Sequence, residues 1–176
     1  MHVANGERLT PGCIFLGGPI QFATDRAGRF SVPLREIISG LLQALDQTGL
    51  RVLSAHRHEK FGEVDMRGKY AEVCRRDYAW MRECDVFAAV LPVGTDGVPV
   101  ATSGTAVELG WASSMGKPVI LIRDLAAEYS HLIAGLSAVT SVVTIDINSA
   151  ALDQELCRAV SQVLTTADLP VGASWG

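Results

Sequence analysis

An α/β, doubly wound fold is what this sequence predicts, and three observations predict it. Short β-rich apolar runs recur along nearly the whole chain, they alternate with stretches of helical pattern, and each run is apolar almost throughout. Strands buried on both faces of a parallel sheet read that way. The alternation βαβαβαβαβα implies right-handed crossovers, and hence a flavodoxin-like sheet of five parallel strands with helices on both faces.

The strand runs are CIFLG (13–17), RVLSA (51–55), DVFAAVL (85–91), KPVILI (117–122) and SVVTIDI (141–147). Between them the pattern places helices at about 33–48, 70–83, 105–115 and 126–137, with a last one at 150–165. Gly49 and Gly116 fall just past two of these helices, where a left-handed C-terminal cap favours glycine.

A chain of 176 residues suits a single domain spanning 1–176, with its core at about 13–165 and a tail, 167–176, that carries no helix or strand pattern. The net charge of −4 argues against a nucleic-acid partner, whose phosphates would call for clustered Lys and Arg. No apolar run approaches the ~20 residues of a membrane span, and no secretory leader pattern is present, so no membrane partner and a cytoplasmic location are expected. The four cysteines, Cys13, Cys74, Cys84 and Cys157, show neither C-x-x-C nor zinc-like spacing with histidine, so buried free thiols are expected.

In a doubly wound sheet the ligand crevice lies beyond the carboxyl ends of the strands, near the switch in strand order. That singles out 17–30, HRHEKFGE (56–63) and the long PVGTDGVPVATSGT (92–105), all rich in glycine, proline and polar groups. Loop 92–103 is long enough to reshape the site or act as a lid.

Two acids then stand out on faces that should be buried. On the helix near Thr105, Glu108 shares a stripe with Trp111, Ala112 and Met115; on the helix at 70–83, Asp77 shares one with Tyr70, Val73, Trp80, Met81 and Cys84. A buried carboxylate is costly unless paired or hydrogen-bonded. Pairing with Arg75, Arg76 or Arg82 is one explanation; chemistry is the other. Glu108 lies one turn into a helix that opens after Thr102-Ser103-Gly104-Thr105, whose first amides and hydroxyls could cradle a phosphate or could simply be N-capped by Ser103 or Thr105. A 5'-phosphate held there would bring a sugar to the carboxylate, a geometry suited to glycosidic chemistry.

Four segments carry a resemblance: FLGGP (15–19), SAHRHEKFG (54–62), CRRDYAWMRECDVFAAV (74–90) and GTAVELGWASSMGKPV (104–119). With them the chain resembles the nucleoside 2-deoxyribosyltransferase superfamily, most of all its nucleoside 5'-monophosphate N-glycosidases of the cytidylate and hydroxymethylcytidylate hydrolase type, known from nucleoside-antibiotic pathways. The resemblance implies a homodimer or higher assembly and hydrolysis of a nucleoside 5'-monophosphate, such as the pyrimidine ribonucleotide CMP, to free base and ribose 5-phosphate, without metal or cofactor. It maps the nucleophile onto Glu108, the sugar-orienting acid onto Asp77 and the phosphate loop onto Thr102, Ser103, Gly104 and Thr105. It places Gly17, Gly18, Pro19, Ile20, His56 and Arg57 around sugar and base, and Ser130 of a neighbouring subunit at the phosphate. Phe22, Phe30 and Phe61 are candidates to stack on the base or to pack in the core, and His56 and His58 are candidate proton donors. Where the related hydrolases carry an aromatic and a basic residue after GGP, this chain has Ile20 and Gln21. Transfer of the sugar to a second base, hydrolysis of a 2'-deoxynucleoside 5'-phosphate, the cytokinin-activating phosphoribohydrolase reaction and nucleotide sensing without turnover are the alternatives.

Overall fold

The computed structural model describes residues 12–24 and 29–167. Five parallel strands form one sheet: β1 (Cys13–Gly17), β2 (Arg51–Leu53), β3 (Val86–Leu91), β4 (Val119–Arg123) and β5 (Val142–Asp146), in the order β2-β1-β3-β4-β5. The helices are α1 (Val32–Gln47), α2 (Ala55–His58), α3 (Tyr70–Glu83), α4 (Ser103–Ser114), α5 (His131–Ala134) and α6 (Leu152–Ala167). This is the doubly wound α/β arrangement, and the strand order reverses between β1 and β3.

Alternate strand residues feed two cores. Ile14, Leu16, Val86, Ala88, Val90, Ile120 and Ile122 face α1 and α6, whereas Phe15, Phe87, Ala89, Leu91, Val119 and Leu121 face the side of α3 and α4. β1 and β3, and β4 up to Arg123, are apolar throughout because neither face meets water, whereas the edge strands β2 and β5 are partly exposed and carry Arg51, Thr144 and Asp146. On α1 the buried residues Leu34, Ile38, Leu41, Leu42 and Leu45 repeat at helical spacing, with proline accommodated in the first turn where its missing N–H is not needed. Ile38 is wholly buried in this layer. Ile38→Ala is expected to cost about 2–5 kcal/mol of unfolding free energy through lost burial and the cavity left behind, read as a lower urea midpoint at unchanged slope.

Gly49 and Gly116, the anticipated caps, adopt φ of 75° and 65°. Two segments differ from expectation. The stretch read as a helix over 126–137 holds only α5 and a 3-10 turn, Leu136–Ala138. Before α5 the Tyr129 hydroxyl donates to the Leu91 carbonyl at 2.7 Å, and the Asp124 carboxylate accepts the Ala126 N–H at 2.7 Å, so the backbone is held in a loop. The segment 56–63, read as a loop, begins inside α2 and stops where Lys60, Phe61 and Gly62 take φ of 49°, 56° and 85°. Such a left-handed run ends a helix.

Of the four free cysteines, Cys13 and Cys84 are buried and Cys157 partly so, but Cys74 of α3 is exposed. The 92–103 loop is drawn into a tight turn by a Val93–Pro99 bridge, with Gly97 at φ 75° and the Gly94 N–H bonded to the Val98 carbonyl at 2.7 Å. Residues 168–176 of the tail lie outside the described residues. No helix among the described residues is long and apolar enough to cross a membrane.

Candidate active site

At the β1/β3 switch point the loop after β1, the start of α4 and the inner face of α3 enclose a cavity of about 150 Å³. Gly18, Pro19, Ile20 and Gln21 form one wall, Asp77 and Val73 of α3 with Glu59 a second, and Thr102, Ser103, Gly104, Thr105 and Glu108 a third. A groove of about 280 Å³ continues outward from it, sharing Gln21, Glu59, Val73, Asp77, Gly104 and Glu108 and bounded by Tyr70, Cys74, Val107 and Trp111.

The α4 end of the cavity is a helix N-terminus left open. Thr102, the N-cap, makes no side-chain capping bond, and the hydroxyls of Thr102, Ser103 and Thr105 have no hydrogen-bond partner among the described residues. Capping therefore does not occupy these groups. The first amides of an α-helix lack intrahelical acceptors and sit at its positive end, so this corner suits an anion.

Glu108 follows one turn later, 8 % exposed, with neither carboxylate oxygen bonded to protein among the described residues. Burial, then the neighbouring Asp77 charge, push its pKa up to about 8, with Arg76 opposing and Glu59 adding to the rise. The floor beneath it is Gly17: a Cβ there would sit 2.8 Å from Glu108 Oε2 and 2.9 Å from the Phe87 ring. Glycine at 17 is what lets the carboxylate lie against the end of β1.

Asp77 is not free in the same way. Arg76 donates from Nε to Asp77 Oδ1 at 2.8 Å and from Nη2 to Glu59 Oε1 at 2.7 Å, with its guanidinium 4.8 Å from the Trp80 ring centroid. All three residues of this cluster are nearly buried. Burial raises the Asp77 pKa, while the Arg76 hydrogen bond and, more weakly, the charge of His58 hold it down. The arginine pairing anticipated for Asp77 thus exists, and the acid still lines the cavity.

Most residues picked from sequence converge here: Gly18, Pro19, Ile20, Asp77, Thr102, Ser103, Gly104, Thr105 and Glu108 line the cavity, and Gly17 underlies it. Others do not. His56 is fully buried behind the loop, with Nε2 donating to the Pro19 carbonyl at 3.1 Å; burial lowers its pKa to about 4, so it stays neutral and braces the loop. Arg57 turns away and pairs with Asp46 of α1 at 2.8 Å, because the short α2 points it across the opposite face. Phe30 and Phe61 pack on each other and on His56, behind the wall of the cavity. The side chain of Phe22 lies outside the described residues. Ser130 is exposed at the start of α5 and does not line this cavity. Loop residues before Thr102 pack toward Phe30 and the start of α1 and contribute nothing to this cavity.

Glu59 is the acid that sequence reasoning missed. A helix of four residues is too short to show a periodicity, so its burial could not be read from the HRHEK run.

A family model described as nucleoside 2-deoxyribosyltransferase matches residues 14–154. Among solved structures the chain is similar to the CMP N-glycosidase BcmB of Clostridium botulinum, at 26% identity over 85% of this chain and 98% of that one, TM-score 0.55. It is similar to BlsM at 27% identity over 92% and 96%, TM-score 0.71. A 2-deoxyribosyltransferase from Bacillus psychrosaccharolyticus shares the fold at 23% identity over 78% and 88%, TM-score 0.51. No curated protein matches the chain.

Proposed function

Since the chain belongs to the nucleoside 2-deoxyribosyltransferase family, and so among enzymes that cleave a glycosyl bond, we propose that it hydrolyses the N-glycosidic bond of a nucleoside 5'-monophosphate. The substrate in this reading is a pyrimidine ribonucleotide such as CMP, and the products are free base and ribose 5-phosphate. One observation carries it: an unpartnered, buried glutamate opens into a cavity whose end, one helical turn away, is a helix N-terminus with unused hydroxyls.

The phosphate docks on the amides and hydroxyls of Thr102 to Thr105. A turn of helix rises about 5.4 Å, which sets the sugar over Glu108. The ionised Glu108 carboxylate attacks C1'; the C1'–N bond breaks with its electron pair leaving on the base, which takes up a proton from solvent, a proton returned when water resolves the ester. Water then attacks C1' of the ribosyl ester, giving ribose 5-phosphate and restoring Glu108. Asp77 accepts hydrogen bonds from the sugar hydroxyls, and Ile20 and Gln21 flank the base. The similarity to a CMP N-glycosidase supports a pyrimidine. In a homodimer Ser130, which stands beside the exposed apolar Leu132, would be supplied to the phosphate by the second copy.

The test is a panel of nucleosides and their 5'-monophosphates, ribo and deoxyribo, with chromatography for free base and sugar phosphate. Base release from a monophosphate at least about 100-fold faster than from its nucleoside is expected, because the phosphate's binding energy is used to hold C1' at the nucleophile. A new nucleoside formed from added base, with free nucleoside the better donor, would instead identify sugar transfer.

A further inference from the structure

Arginine ordinarily presents Nε and Nη2 as a fork that takes both oxygens of one carboxylate. Here the fork is divided: Nε holds Asp77 Oδ1 and Nη2 holds Glu59 Oε1. The division leaves two acids side by side, each with one oxygen fixed and the other without a protein partner among the described residues. Both acids line the same cavity as Glu108, at 7 % and 8 % exposure.

We propose that Glu59 and Asp77, yoked by Arg76, form a two-acid clamp for the vicinal 2'- and 3'-hydroxyls of a ribose, and that Glu59 is the residue that makes this site select ribonucleotides over 2'-deoxyribonucleotides. The inference rests on the hydrolase reading above and adds the residue that selects its sugar. Its physical basis is a count of acceptors. Two adjacent carboxylates sharing one guanidinium keep one net negative charge and two open acceptor oxygens, and two neighbouring hydroxyls supply the donors that a buried pair of this kind lacks. A 2'-deoxyribose supplies one donor and leaves an acid desolvated without a partner. A site built to hydrogen-bond a hydroxyl rejects the analogue lacking it far more strongly than an apolar pocket rejects an extra atom. Glu59, at the end of α2, shares the cavity wall of Val73 and Asp77, while Glu108 belongs to the wall built by α4.

The experiment compares the full chain with its Glu59→Gln and Glu59→Ala variants on paired ribo- and 2'-deoxyribonucleoside 5'-monophosphates of one base. Wild type is expected to favour the ribonucleotide by about 100-fold or more in kcat/KM. Both variants should lose most of that ratio, because the ribonucleotide loses far more than the deoxyribonucleotide. An equal loss on both sugars would assign Glu59 a purely structural role and overturn the proposal, as would a wild type indifferent to the 2'-hydroxyl. Ribose 5-phosphate and 2-deoxyribose 5-phosphate as inhibitors of wild type give a reading that needs no variant: the ribose form should inhibit at least about tenfold more tightly, and equal inhibition overturns the clamp. Absence of base release from every nucleotide would refute the hydrolase reading itself; base release with an unchanged sugar ratio in the variants would refute this inference alone.

Discussion

Glu108→Gln is expected to abolish base release, by at least about 10³-fold, while making the folded protein more stable in alkaline solution. Both effects follow from one placement. The amide is nearly isosteric, so the cavity keeps its shape, but it cannot attack C1'. The native carboxyl has a pKa of about 8 where the ordinary value is 4.5, because burial and the Asp77 charge disfavour its ionised form. The folded state therefore holds this proton more tightly than the unfolded chain, and between about pH 4.5 and about pH 8 the wild type loses stability from this group as pH rises. Above that range the full penalty is present, and the variant escapes it. Urea denaturation at pH 5, 7 and 9 should show the two proteins diverging as pH rises, with the variant ahead; parallel curves would mean that Glu108 is not the buried acid described here. Activity runs the other way: kcat/KM of wild type should climb toward about pH 8 as the attacking carboxylate forms in the free enzyme.

Gly17→Ala is the second large effect, expected to lower kcat/KM by about 100-fold and stability by about 1–3 kcal/mol. The backbone at this position is ordinary strand, so the penalty is steric. An added methyl would meet Glu108 Oε2 at 2.8 Å and the Phe87 ring at 2.9 Å. Phe87 is fully buried and Glu108 is walled by α3 and the loop after β1, so the carboxylate must move off its line to the sugar. Gly110→Ala is the control: its methyl would meet nothing within 4 Å, and in the middle of α4 it should stabilise the helix by about 0.5–1 kcal/mol with activity intact. Activity assays and thermal melts on the three proteins separate a clash at the site from a general intolerance of substitution. Wild-type activity in the Gly17→Ala protein would place Glu108 elsewhere.

Glu108 and Asp77 were legible in sequence because each interrupts an apolar stripe of a helix long enough to show its period, α4 and α3. The cradle at Thr102 to Thr105 was legible because hydroxyls and a glycine stand just before a helix start, although only the structure shows those hydroxyls unspent on capping. His56 and Arg57 misled for a definable reason. Adjacent on a four-residue helix, they point in different directions, one under the Pro19 loop and the other toward Asp46, and neither direction is encoded in local pattern.

By itself the amino-acid order determined the layering: central strands apolar at nearly every position, helices with one apolar face, glycines where the backbone must turn left-handed, and hence a parallel sheet with its crevice beyond the strand ends. Those are consequences of burial and backbone sterics acting within a few residues. The tertiary structure alone decided which acids meet. Arg76 and Asp77 are neighbours on α3, but Glu59 lies 17 residues before Arg76 at the end of α2, and the splitting of one guanidinium between the two carboxylates depends on how α2 and α3 are brought together, which hydrophobic periodicity does not carry.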